Sequence, residues 1–420
     1  MAKKQALIKF TTNRNIHPHY YDYATAVQHV KNILKQKIGT ELNLYHAGED
    51  VHTLFETMHD MINENDVDVE ILSSVYDNVS ASTIKFTIEK NYYVIPSISN
   101  NVYYFRKYDV AMVRMPIYQN HEDFEEDFIF AKNDESLIRF INEMIAMQRQ
   151  SMMKGITVFT DTDEGVVRHR EKITQQIPRE EVLLSEHIKR DIFRAIDEFF
   201  LKSGEFFKQY NIPYKRGILL YGNPGNGKTT LVKSIAGSVA APIVYWQITE
   251  NTSSYSIQEI FETVTKMAPM ILVIEDIESM PDYARSAFLN ALDGATSKEG
   301  IFLIGTTNYP ERIDPALINR AGRFDRAYEI KQPDESLRCL YLEKKGIKQF
   351  LDEERFLYLV DKTKGLSIAQ LNEVYMSIAL QWHYEEPIDI DQIVQDLLEN
   401  HRRTVKQEWD SDDYVKKVGF

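Results

Sequence analysis

The sequence predicts an α/β chain: an open parallel sheet with helices on both faces, followed by a C-terminal helical lid and preceded by a separate α+β domain. Three observations carry that expectation. The Gly-rich stretch Gly222-Asn223-Pro224-Gly225-Asn226-Gly227-Lys228-Thr229 lies between the apolar run Gly217-Ile218-Leu219-Leu220-Tyr221 and a segment from Thr230 to Ala236 that reads as a helix. From Ser185 to Gly305, short apolar runs alternate with segments of helical period. Beyond Pro333 the pattern turns wholly helical, whereas before Thr174 strand and helix periods mix and no phosphate motif occurs. The expected domains are 1–174, 175–333 and 334–420.

Composition bounds the class. The chain has 420 residues, enough for two or three domains with cores of their own, and its 43% hydrophobic and 27% charged content is that of a globular protein. No apolar run approaches the roughly 18 residues of a membrane helix, and Met1-Ala2-Lys3-Lys4-Gln5 is not followed by a signal-peptide core, so no membrane span and a cytoplasmic location are expected. One cysteine, Cys339, excludes an internal disulfide framework; its apolar neighbours point to packing. A net charge of −14 disfavours nucleic acid as a partner.

In the first domain, 20–37 and 51–62 carry apolar residues at helical spacing. Strict alternation in Ile84-Lys85-Phe86-Thr87-Ile88-Glu89 predicts a half-buried strand, and Val102–Phe105 and Val110–Met115 read as further strands. The helical period returns over 137–153, where Met144, Met147, Met152 and Met153 suit core packing better than an adaptable surface. His17 and His19 lack the further ligands of a metal site. The aromatic groups Tyr92-Tyr93 and Tyr103-Tyr104-Phe105 read as sheet core rather than base-stacking platforms.

Residues 155–180 are charged and mixed, and are expected to form a connector. Ser185 then caps a helix whose apolar face is Ile188, Ile192, Ile196, Phe199 and Phe200. Strands follow at Ile243–Ile248, Met270–Ile274 and Ile301–Gly305, separated by helices ending near Lys266 and Leu292-Asp293-Gly294. In the last domain Ile368–Trp382 and Ile388–Leu398 are the clearest helices.

The chemistry sits at strand ends. In the Gly-rich motif, Gly222 to Thr230, backbone N–H groups wrap phosphates, Lys228 reaches the terminal phosphates and the Thr229 hydroxyl holds Mg²⁺, which implies a nucleotide phosphate as ligand, identified as ATP or ADP by the resemblance given below. Glu275-Asp276 ends a buried strand; one carboxylate there serves the metal and the other the attacking water. Asn308 ends the next strand and can orient water against a γ-phosphate. Taken alone, two acids at a strand end are solvated charges; the phosphate loop upstream gives them a use.

Downstream runs Asp314-Pro315-Ala316-Leu317-Ile318-Asn319-Arg320-Ala321-Gly322-Arg323-Phe324-Asp325. With this block the set resembles the AAA subfamily of AAA+ ATPases, whose paired arginines at these positions reach the neighbouring subunit's nucleotide as fingers. The resemblance implies ATP hydrolysis with Mg²⁺, a homo-oligomeric ring, a hexamer, and remodelling or chaperoning of a protein client. It assigns Thr229 and Glu275 to the metal, Asp276 and Asn308 to the water, and Arg320 and Arg323 to the next subunit. Asn211–Gly222, the acid order Glu275-Asp276 and Leu289-Asn290-Ala291-Leu292-Asp293-Gly294 look like the Bcs-type AAA proteins, without that group's membrane anchor, and in outline like soluble bacterial ATPases of the YjoB type. This likeness covers about 180–334.

Two departures stand out. Most AAA proteins read Asp-Glu where this chain reads Glu-Asp. The segment Thr249-Glu250-Asn251-Thr252-Ser253-Ser254-Tyr255-Ser256 lacks the aromatic-hydrophobic-Gly grip of threading unfoldases. A nucleic-acid remodelling ATPase would need a basic stripe and salt-sensitive DNA binding; a nucleotide-dependent assembly scaffold would turn over ATP without response to a client.

Overall fold

The computed structural model describes residues 23–46, 54–55, 58, 62, 68–86, 91–119, 122–153, 155–163, 165–172, 177–293, 299–317 and 323–406. The chain forms two compact units, Met1–Ser151 and Met152–Phe420.

The first unit holds β1 (Asn43–His46), β2 (Glu70–Ser74), β3 (Ser82–Phe86), β4 (Tyr92–Pro96), β5 (Asn101–Phe105), β6 (Val110–Gln119) and β7 (Glu122–Ala131). Five of them make an antiparallel sheet in the order β1-β7-β6-β5-β2. Alternation places Val102, Tyr104, Val113 and Phe130 on one face, where Ala26, Val30 and Leu34 of the helix Tyr23–Ile38 cover them. Tyr103, Phe105, Met112 and Ile129 point to the other face, against Leu54, Phe55, Met58 and, from the helix Asp134–Met152, Phe140 and Met144. Tyr103, Tyr104 and Phe105 are therefore core, as expected. Tyr92 and Tyr93 are not: β3 and β4 form a two-stranded hairpin in which the cross-strand pairs Ile84–Val94 and Phe86–Tyr92 are exposed, Tyr92 at 76%. The half-buried strand expected over 84–89 thus pairs only with β4 among the described residues, and 87–90 lie outside them. Met153 is exposed rather than packed. His17 and His19 also lie outside the described residues.

The second unit is built on a seven-stranded sheet: β8 (Gly155–Thr162), β9 (Gly165–Lys172), β10 (Lys215–Tyr221), β11 (Ile243–Gln247), β12 (Met270–Glu275), β13 (Ile301–Thr307) and β14 (Arg326–Glu329). Its order is β14-β10-β13-β12-β11-β8-β9, parallel throughout except for the antiparallel edge pair β8–β9. The stretch expected as a connector thus supplies two strands. Its charged residues Arg168, Arg170, Glu171 and Lys172 suit an edge, where charge discourages further pairing.

Central strands are buried on both faces, which is why they read as continuous apolar runs. Ile218, Leu220, Tyr245, Val273 and Phe302 pack under the helices Glu186–Phe200 and Lys228–Ser238. On the opposite face Trp246 meets Phe261 and Phe288, at 6.2 and 5.8 Å between ring centroids, from the helices Ser254–Lys266 and Asp282–Asp293. Ser185 occupies the expected cap position, although its side chain makes no capping bond. The last helices, Glu335–Lys344, Glu353–Lys362, Ile368–His383 and Ile390–Lys406, share a core around Leu342, Phe356, Leu371 and Val374, with Cys339 packed against it. No helix among the described residues is long and apolar enough to cross a membrane.

Candidate functional site

Sheet order decides what the site contains. β13 lies between β10 and β12, with Tyr221 level with Thr307 and Ile274 level with Gly305, so the loop after β10, the acids after β12 and Asn308 after β13 emerge side by side. Neighbouring strands are about 4.8 Å apart, which confines the three to one edge roughly 10 Å wide. That edge is the carboxyl end of the strands, where open α/β sheets bind ligands.

The loop Gly222–Gly227 leads into the helix Lys228–Ser238, which begins two residues earlier than its sequence suggests and aims its free N–H groups at the loop. Gly225 has φ 78°, and a Cβ there would lie 2.9 Å from the Ala369 Cβ and 3.0 Å from the Ser367 Oγ. Its carbonyl accepts the Ala369 N–H at 3.0 Å. The start of the lid helix Ile368–His383, fixed by a capping box between Ser367 and Gln370, therefore rests on the phosphate loop.

Lys228 is buried, and its ammonium donates to the carbonyls of Gly222 at 2.6 Å and Asn223 at 3.1 Å. Burial pulls its pKa below the ordinary lysine value, opposed by the charges of Glu278 and Asp276. Asn226 is 2% exposed, yet neither its Oδ1 nor its Nδ2 has a hydrogen-bond partner among the described residues. Orphaned polar atoms inside a loop of positive-φ glycines are what a phosphate-binding loop presents to an anion it encloses. The residues present fit a nucleotide phosphate. Thr229 and Thr230 are exposed on the first turn.

At the end of β12, burial raises the pKa of Glu275, with Asp276 adding to the effect. Asp276 is raised by burial and by Glu278, against the pull of Lys228. Its backbone is left-handed, φ 54°, uncommon for a residue with a Cβ and a frequent mark of functional sites. A turn bond from Ser279 N–H to its carbonyl, 2.8 Å, holds this conformation. A hard cation favours oxygen ligands of the kind that Glu275 and the Thr229 hydroxyl carry. The backbone N–H of Asn308 donates to Glu278 Oε1 at 3.0 Å. Sequence reasoning passed over Glu278; its only signal was a third acid in Glu275-Asp276-Ile277-Glu278.

The arginines part company. Arg320 lies outside the described residues. Arg323 is 3% exposed and forms a bidentate pair with Asp293, Nε to Oδ1 at 2.6 Å, while also donating to the Ala316 carbonyl. In this conformation its guanidinium is engaged within the chain, by Asp293 and the Ala316 carbonyl. In the sequence Asp293 stands out only as part of Leu289-Asn290-Ala291-Leu292-Asp293-Gly294.

Residues 218–332 match the family described as "ATPase family associated with various cellular activities (AAA)". Similar proteins include the ATP-dependent zinc metalloprotease FtsH 2 of Bdellovibrio bacteriovorus, 31% identical over 219 residues, covering 46% of this chain and 35% of that protein. The ATP-dependent zinc metalloprotease FtsH of Staphylococcus haemolyticus is 30% identical over 213 residues, 46% of this chain and 29% of its own length. The cell division cycle protein 48 homolog of Archaeoglobus fulgidus is 31% identical over 241 residues, 52% and 33%. The chain thus spans about a third of the length of these relatives. Within it lies an AAA ATPase domain, of an ATP-hydrolysing family, homologous to their AAA modules.

Proposed function

From that AAA ATPase domain we propose that the chain is one subunit of a Mg²⁺-dependent ATPase ring, a hexamer, that remodels or chaperones a protein client bound by its N-terminal unit. The observation that carries the proposal is the grouping of Lys228, Glu275, Asp276 and Asn308 at the ends of three neighbouring strands. Lys228 and the backbone N–H groups of Gly222 to Thr230, Pro224 excepted, hold the β- and γ-phosphates of ATP. Thr229 and Glu275 hold Mg²⁺, which when bound neutralises charge on the phosphate oxygens. Asp276 accepts a proton from the attacking water, and Asn308 orients that water. Arg320 reaches the nucleotide of the next subunit, while Arg323, tied to Asp293, braces the motif from its far end.

The segment after β11 favours a client handled by the N-terminal unit over one threaded through a pore. Thr252 Oγ1 and Trp246 Nε1 both donate to the buried Asp161 Oδ2, and Thr249 Oγ1 donates to the Asp161 carbonyl at 2.9 Å. This segment is tied to β8, and its one aromatic residue, Tyr255, has no hydrophobic-Gly sequel.

An arginine supplied from a neighbour is worth about 10³ to 10⁵ in rate, so turnover should depend on assembly. ATPase activity per subunit should rise with protein concentration, and inactive Arg320→Ala and Lys228→Ala chains should recover turnover when mixed. Full activity from a verified monomer would refute the ring.

A further inference from the structure

A third acid at the end of β12 has no role in the reading above. Glu278 lies in the 3-10 turn Ile277–Ser279, directly after the left-handed Asp276. Its Oε1 accepts the Asn308 N–H at 3.0 Å, across thirty residues of sequence, and so ties the end of β13 to the turn that follows β12. Its Oε2 is buried and has no hydrogen-bond partner among the described residues. An acid that merely closed a turn would spread both oxygens over donors or leave one in water, because a buried unpaired carboxylate oxygen forfeits its hydration. One side chain therefore holds the main chain at Asn308 through one oxygen and keeps a second, buried oxygen without a partner among the described residues.

We propose that Glu278 is a positioning residue for hydrolysis: it clamps the main chain at Asn308 to the end of β12 so that Asn308 and Asp276 address one water, and it keeps its second oxygen for a donor that arrives with that water. The chain's reversed acid order makes such a clamp useful. Asp276 is a methylene shorter than glutamate and has less reach to correct a misplaced water. The proposal rests on the ATPase reading of the site.

The test compares the full chain with Glu278→Gln, Glu278→Asp, Glu278→Ala, Asn308→Ala and the double variant Glu278→Ala/Asn308→Ala, by steady-state MgATP turnover and by titration with a fluorescent ADP analogue. Nucleotide affinity should stay within about twofold, while kcat falls about tenfold or more in Glu278→Ala. Glu278→Gln keeps an acceptor for the Asn308 N–H and should retain intermediate turnover. Glu278→Asp is too short for the clamp and should resemble the alanine variant. In the Asn308→Ala background, Glu278→Ala should cost less than about a further twofold, because the clamp then has nothing to position. If Glu278→Ala does not fold, the order Glu, Gln, Asp decides the matter. Normal turnover in Glu278→Ala beside a dead Asp276→Asn overturns the clamp alone, as do losses that multiply in the double variant or that fall on affinity and kcat together. A wild-type chain that does not hydrolyse ATP overturns the ATPase reading and the clamp with it.

Discussion

Single atoms set the tolerances of this site. In β10, a Cβ on Gly217 would lie 1.8 Å from the backbone carbonyl oxygen of Arg323, and the Gly217 amide and carbonyl are both bonded to Asp325, at 3.1 and 2.8 Å. Backbone cannot yield as a side chain can. Gly217→Ala should therefore destabilise the second unit by about 3 kcal/mol or more, read as a lowered urea midpoint with unchanged slope. A midpoint equal to wild type would show that the close approach relaxes freely. The loop glycines, Lys228, the paired acids and Asn308 stand out in the sequence by type and spacing, and the strand order brings them to one edge of the sheet. Glu278, Asp293 and Asp161 do not stand out, because their roles come from partners 30 or 85 positions away that no local pattern reveals.

At the scale of elements, Asp161 at the end of β8 accepts from Trp246 Nε1 at 2.9 Å and from Thr252 Oγ1, joining the edge hairpin to the segment after β11. Asp161→Ala would leave two buried donors without their acceptor, each costing about 1–3 kcal/mol, so a fall in thermal midpoint is expected. Asp161→Asn, which keeps a carbonyl oxygen, should fall less. Equal midpoints for wild type and Asp161→Ala would dissolve the knot. Tyr255, 73% exposed at the start of the helix Ser254–Lys266, should by contrast tolerate Tyr255→Ala with little change in ATPase rate or client protection. A ring that loses client activity with Tyr255→Ala would restore threading. The central strands were plain in the sequence because burial on both faces leaves uninterrupted apolar runs. β8 and β9 were hidden because an edge hairpin carries charges that read as linker, and four-residue β14, Arg326-Ala327-Tyr328-Glu329, is too short and polar to show a period.

For the molecule as a whole, the two compact units suggest where the chain divides. Cutting near residue 180 removes β8, β9 and Asp161 from the ATPase sheet, whereas starting at Met152 keeps them. A chain of 152–420 should therefore keep ATPase activity and lose protection of a client against aggregation, while a chain of 180–420 should be markedly less stable. Client protection by 152–420 alone would remove the N-terminal unit from the proposal. The measurement that tests the central claim most directly sets ATP binding against turnover in Lys228→Ala and Asp276→Asn of the full chain. On the proposed roles Lys228 contacts phosphates before and during reaction and Asp276 acts chiefly in the transition state, so Lys228→Ala should lose nucleotide affinity while Asp276→Asn binds ATP as wild type does and fails to turn it over. Equal loss of affinity in both, or undiminished turnover in Asp276→Asn, would contradict the account.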